Sequence, residues 1–114
     1  MFQCTAHLGL ASDDVLAELK SSCKTAPNFA TNLMRFLYSR EERVQDCNMS
    51  GYKKPPISPT AQRLNYIISC MVRQFGIQPD QIPAARAEAI KAMDDANRRD
   101  RPRLRMEILE LQSS

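Results

Sequence analysis

The chain has 114 residues, 43% of them hydrophobic, and a formal net charge of +3. This length predicts one domain that buries its own core, and the sequence contains neither a signal peptide nor an apolar run long enough to span a membrane. Four cysteines without metal-ligand spacing, a single histidine (His7) and three glycines favour no metal site, no His-centred catalysis and no Gly-rich phosphate loop, so we expect no enzyme, no cofactor and no small-molecule substrate.

Two helices are predicted in the first third of the chain. Ser12 is a typical helix cap and precedes two aspartates that favour the first turn of a helix. A second helix is expected to start near Thr25 to Asn28 and to end near Tyr38 or Ser39, because apolar residues recur there at helical spacing. The residues on this apolar face are Phe29, Leu33, Phe36 and Leu37.

A third, short helix is predicted to follow directly. Ser39 and Glu42 have the spacing of a capping box, in which each side chain caps the backbone of the other. We expect this helix to carry Val44 and Cys47 inward and to end at Asn48.

Residues 48–58 are predicted to form a loop, because they contain glycine and two prolines and show no periodicity. The loop includes the adjacent lysines Lys53 and Lys54. It is either an ordinary exposed connection or a basic element beside the helices.

The core helix is predicted to begin at Ser58 and Pro59, a cap residue followed by proline at the first helical position, and to stop at Gly76. Its broad apolar face predicts that it lies at the centre of the domain. The face consists of Ala61, Leu64, Ile67, Ile68, Met71, Val72 and Phe75.

The last helix is predicted from about Pro83 to Arg99, with Pro102 as its end. Small residues dominate its inner face, so a large outer face is expected to remain exposed. The inner face is made of Ile82, Ala85, Ala89, Ile90, Met93 and Ala96. Residues 104–114 form an apolar C-terminal tail, which we expect to fold back as a short helix or strand or to serve as an interface.

Positive charge is concentrated late in the chain, with five arginines among the eight residues from Arg98 to Arg105. Arginine pairs bidentately with guanine, asparagine does the same with adenine, and both arginine and lysine contact phosphate. The sequence therefore favours nucleic-acid binding. The candidate DNA-contacting residues are Lys53, Lys54, Lys91, Asn97, Arg98, Arg99, Arg101, Arg103 and Arg105.

The same stretch is also compatible with a solvated helix end. Acids lie four residues from several of these basic residues, so the charges can pair on the helix surface. Such pairing would leave Arg101, Arg103 and Arg105 as the free charges. The possible pairs are Lys91–Asp95, Asp94–Arg98 and Asp95–Arg99.

Residues 12–103 resemble a BEN domain in the order and spacing of three segments. FATNLMRFLYSREE at 29–42 is similar to the aliphatic helix of the family and its F-(S/T/P)-R-E turn. MSG at 49–51 and ISP at 57–59 are similar to the SG and L-(D/S)-P motifs that flank the loop of the family. LNYII at 64–68, continuing to RQF at 73–75, is similar to its next helix.

The resemblance implies a compact all-α domain of about five helices, the C-terminal repeat of a nuclear chromatin repressor with several BEN repeats. It implies sequence-specific binding of double-stranded DNA by residues 86–105, assisted by the basic loop, and further partners among chromatin or corepressor proteins. Some repeats of the family serve protein contacts instead, so the alternative is a protein-interaction or oligomerisation module. RNA is a weaker expectation, because few aromatic residues are available to stack unpaired bases.

Overall fold

The computed structural model describes residues 11–45, 48–49, 51, 54, 56 and 62–113. These residues form five α-helices and one 3₁₀ turn, and none of them belongs to a strand. The predicted all-α fold of about five helices is therefore confirmed. The elements are α1 (Asp13–Ser22), α2 (Ala26–Leu37), α3 (Arg40–Arg43), α4 (Gln62–Phe75), the 3₁₀ turn (Pro79–Gln81) and α5 (Ile82–Ser113).

Side-chain caps fix where α1, α2 and α3 begin. The hydroxyl groups of Ser12 and Thr25 each accept a backbone N–H of the first helical turn at 3.3 Å. Ser39 and Glu42 form both hydrogen bonds of the capping box at the start of α3. These three predicted helix starts are confirmed, whereas the predicted start of α4 at Ser58 lies outside the described residues.

The core lies around α2, which packs against both α4 and α5. Most of the described residues on the apolar faces predicted for α2 and α4 are buried, although Phe36 is 37% exposed. Cys23 and Cys70 are buried free thiols, as expected. The largest fully buried apolar side chains are Leu16, Phe29, Leu33, Met34, Ile67, Met71, Met93 and Leu104.

Pro102 does not end the last helix, contrary to the prediction. It lies inside α5, which continues unbroken to Ser113. The missing N–H of proline leaves the carbonyl of Arg98 without its helical partner, but both residues lie on the exposed side, where water can hydrogen-bond to that carbonyl. Beyond the proline, Leu104 is only 2% exposed, so packing on the domain holds the helix in place.

The tail, residues 104–114, is thus the last part of α5 over its described residues and forms no separate element. Once the helix has passed Leu104, its surface becomes largely apolar and exposed. Met106 is 60% exposed, Leu109 57% and Leu111 61%. None of the helices in the described part of the chain combines the length and the apolar character needed to cross a membrane.

Candidate nucleic-acid interface

Asn97, predicted to reach a base, is buried in the domain with 0% of its surface exposed. Its Oδ1 accepts a hydrogen bond from Nε of Arg43 at 2.9 Å, while its Nδ2 has no partner among the described residues. Asn97 lies on the inner side of α5, which faces α3 and not the solvent. The expectation that Asn97 contacts adenine is therefore wrong for this conformation.

Asp100 lies next to Asn97 on the same buried side and joins α5 to α2 and α3. Its Oδ2 accepts from Nη2 of Arg43 at 2.5 Å and from Nε of Arg35 at 3.2 Å. Burial raises the pKa of Asp100, but the bonds and charges of Arg43 and Arg35 outweigh this and leave the pKa below its ordinary value. Burial also lowers the pKa of Arg43, and Asp100 partly offsets that effect.

Sequence reasoning did not identify Arg43 and Arg35 as partners of α5. Val44 was expected to point inward from α3, yet it is only half-buried and Arg43 is 5% exposed. A signal was present: Asn97 and Asp100 fall on the apolar stripe of α5, and polar residues in such a stripe need buried partners.

Asp94, the third polar residue of this helix with an inward contact, holds the loop before α4. Its Oδ1 accepts the backbone N–H of Met49 at 2.7 Å. Burial raises the pKa of Asp94, and the Met49 hydrogen bond partly offsets the shift. Two of the three acids between residues 91 and 105 are therefore engaged with the body of the domain.

The opposite side of α5 carries a row of basic residues, Lys91, Arg98 and Arg105, here called the basic face. Seven residues separate each from the next, which places them on one side of a helix at intervals of about 10.5 Å. The side chains of Lys91 and Arg98 are 80% and 70% exposed, and Arg105 is also exposed. The basic face is therefore accessible along two turns on either side of Arg98.

Asp94 and Asp95 both lie beside the basic face, and the acid that pairs with its residues is Asp95. It accepts Nζ of Lys91 at 3.3 Å and also pairs with Arg98, and the hydrogen bonds from Lys91 and Arg98 lower its pKa. The predicted Lys91–Asp95 pair is confirmed. Arg98 pairs with Asp95 three residues earlier, whereas the prediction named Asp94, and the predicted Asp95–Arg99 pair is absent among the described contacts.

Two arginines predicted to be free have partners. Nε of Arg101 donates to the carbonyl of Arg43 at 3.0 Å. Arg103 pairs with Glu107 at 2.7 Å and lies 3.8 Å from Asp100. Arg101, which is half-buried, therefore helps to hold α5 on α3, whereas both acid partners of Arg103 lie on α5 itself.

A cleft of about 340 Å³ lies between α2 and α5, beside the basic face. Arg99, exposed and without an ion pair to any described residue, stands on one wall. Thr31, only 5% exposed, lies on the α2 wall. The lining consists of Thr25, Pro27, Asn28, Thr31, Arg35, Ala92, Asp95 and Arg99.

The predicted basic loop is described only in part. Lys54 is exposed, while Lys53 lies outside the described residues. Asn48 and Pro56 form an isolated bridge that brings the two ends of the loop together. Lys54 therefore lies on a loop that is anchored to α5 through Met49 and Asp94.

Comparisons of the chain with protein-family models, with curated proteins and with solved structures found no match. The function of this chain is therefore inferred from its own residues: the charges around α5 and the motifs of residues 29–75.

Proposed function

We propose that this chain is a BEN-type domain that binds double-stranded DNA with sequence preference, as part of a nuclear transcriptional repressor. One observation carries the proposal: the acids Asp94, Asp95 and Asp100 of α5 are engaged by other groups of the domain, whereas the residues of the basic face are exposed. Asp94 and Asp100 contact the body of the domain, while Lys91, Arg98 and Arg105 point to solvent. The side of the helix that a duplex can approach is thus more basic than the sequence composition of α5 suggests.

The engagement of these acids matters because phosphate contacts supply most of the affinity for DNA, and each free acid at the interface repels the DNA backbone. Asp95 remains on the outer side, but it is already paired with Lys91 and Arg98. With Asn97 buried, direct reading of bases falls to arginine, whose planar fork matches the O6 and N7 acceptors of guanine. We therefore expect the preferred site to contain guanine.

The decisive experiment is selection from a random duplex pool with the whole chain, followed by fluorescence anisotropy with the enriched site. Replacing Arg98 or Arg105 by alanine should weaken binding by about 5- to 150-fold, because one bidentate base contact contributes about 1–3 kcal/mol. Arg73→Ala is the matched control, since Arg73 is an exposed arginine on α4. No enriched motif, or equal effects of all three substitutions, would reject the proposal.

The basic loop is proposed to contact the DNA backbone through Lys54, together with Lys53. Lys54→Ala should then weaken binding to every duplex alike and reduce the slope of log K against log salt by about 0.9. A change confined to the selected sequence would instead assign Lys54 to base reading.

A second candidate function is a protein-interaction or oligomerisation module. It is favoured by the exposed apolar side chains Met106, Leu109 and Leu111 at the end of α5. Light scattering with and without DNA separates the two functions. A stable oligomer that is lost in Leu109→Lys, in a chain that does not retain DNA, would support the second.

A further inference from the structure

We propose that the cleft between α2 and α5 binds one phosphate group of the DNA backbone, through the guanidinium of Arg99 and the hydroxyl of Thr31. This inference rests on the proposed DNA-binding function and names a contact that the basic face itself does not include. Arg99 is one of the DNA-contacting residues predicted from the sequence, whereas no such role was predicted for Thr31 or for α2.

Thr31 is the residue of α2 that we expect to contact the phosphate. Its side chain lines the cleft in a residue that is only 5% exposed, yet its hydroxyl makes no hydrogen bond to any described residue. The hydroxyl oxygen is not among the buried atoms left without a partner, so it is accessible from the cleft. A ligand oxygen that enters the cleft can accept a hydrogen bond from this hydroxyl.

Arg99 is the residue of α5 that we expect to contact the phosphate. It is exposed and has no ion pair among the described residues, although Asp95 lies one turn away on the same wall. Asp95 is already paired with Lys91 and Arg98, which screens its charge from an incoming anion. The guanidinium of Arg99 is therefore available for an oxyanion.

Arg35 closes the inner end of the cleft with a third polar group. Its Nε and Nη2 face Asp100, and its Nη1 donates to Asn32 at 3.2 Å. Because Asp100 also pairs with Arg43, its negative charge is shared between two arginines. The inner end of the cleft consequently remains electropositive.

The lining favours a backbone phosphate over a nucleotide or another cofactor. None of the described residues that line the cleft is aromatic, so no surface is offered on which a base would stack. Asp95 pairs with Lys91 and Arg98 of the basic face and also lines the cleft, so a duplex lying along that face would pass the mouth of the cleft. A diester phosphate carries a single negative charge, so Asp95 on the wall repels it less than it would repel a dianionic phosphate monoester.

The first test is the salt dependence of DNA binding in the whole chain. Arg99→Ala and Thr31→Val should each weaken binding to selected and unrelated duplexes alike, and Arg99→Ala should reduce the slope of log K against log salt by about 0.9. Thr31→Ser should restore binding, since it returns the hydroxyl, and Arg73→Ala on α4 should leave binding unchanged. If the wild type binds DNA and the Arg99 and Thr31 variants match it, the cleft proposal fails while the DNA-binding function stands.

The second test uses dimethyl phosphate, a small diester, titrated into the isotopically labelled chain and followed by NMR. Saturable shifts are expected at the backbone amide of Thr31 and at Nε of Arg99, and they should disappear in Thr31→Val. Absence of such shifts would overturn the cleft proposal whether or not the chain binds DNA. Shifts in a chain that does not bind DNA would overturn the assignment of the phosphate to a DNA backbone.

Discussion

Asp100 provides the strongest test of how α5 is held, because among the described residues it is the carboxylate that bridges α5 to both α2 and α3. The side chain is 11% exposed and lies 2.5 Å from Arg43 and 3.1 Å from Arg35. Asp100→Ala would leave the buried guanidinium of Arg43 without a counter-charge. The substitution should therefore destabilise the domain far more than the loss of a surface ion pair would.

Removal of one partner from a buried ion pair costs about 3–5 kcal/mol. We expect the lower end, about 3 kcal/mol, because Arg43 keeps its hydrogen bond to Asn97 and Arg35 is partly solvated. At roughly 4 °C per kcal/mol for a domain of this size, the melting temperature should fall by about 12 °C. The free energy of unfolding is typically about 5–15 kcal/mol, so much of the stability would be lost.

Urea unfolding followed by circular dichroism at 222 nm measures the change directly. The control is Asp95→Ala, which removes a surface acid with two ion pairs and should lower the free energy of unfolding far less than Asp100→Ala does. The double variant Arg43→Met and Asp100→Leu should recover much of the loss, because it removes the buried charges together. Equal destabilisation by Asp100→Ala and Asp95→Ala would refute the view that this pair anchors α5.

Three further outcomes follow from single positions. Pro102→Ala should raise the free energy of unfolding by about 1–3 kcal/mol in the same urea assay, because it restores the helical hydrogen bond to the carbonyl of Arg98. An unchanged free energy of unfolding would show that the proline does not destabilise the helix. Gly76→Ala should lower it by about 1 kcal/mol, because residue 76 has φ of 60° and no atom lies within 4 Å of the added Cβ; a neutral substitution would contradict this purely backbone cost. The difference in free energy of unfolding between wild type and Asp100→Asn should be largest above about pH 3.9, the pKa of an unfolded aspartate, and should shrink as the pH falls through the lower pKa of folded Asp100. Urea titrations from pH 7 to pH 2 measure this difference. A constant difference would exclude the ion pair as its source.

Helix starts were predictable from the sequence because capping is local. Ser12, Thr25 and Ser39 each meet the backbone of the next turn, so the whole interaction lies within a few residues. The apolar periodicity of α4 was equally local, and its central face is buried as predicted.

The end of α5 was not predictable by the same rules. A proline in a helix costs free energy locally, and that rule placed the helix end at Pro102. Contacts made after the proline decide otherwise: Leu104 is buried, and Glu107 accepts from Arg40 of α3 at 3.5 Å. These contacts depend on α3, which lies more than sixty positions earlier in the chain.

The candidate site was half predicted for a related reason. Composition identified the basic residues of α5, but which of them face solvent depends on Arg35 and Arg43, whose sequence separation from Asp100 is 65 and 57 residues. Two candidates, Asn97 and Arg101, proved to contact the domain itself. Thr31 could not be found at all, since an isolated threonine in an apolar helix carries no signal of a cleft.

Helix α5 is synthesised last but contacts helices that lie far earlier in the chain, and this has a consequence for folding on the ribosome. The buried faces of α2 and α3 are completed by α5, whose bonds to Arg43 close loops of more than fifty residues. Helices α1 to α4 would emerge first with the apolar side of α2 uncovered. Stable folding is therefore expected only after residues 82–113 have left the ribosome, and chaperones that bind exposed apolar segments would meet the nascent chain before then.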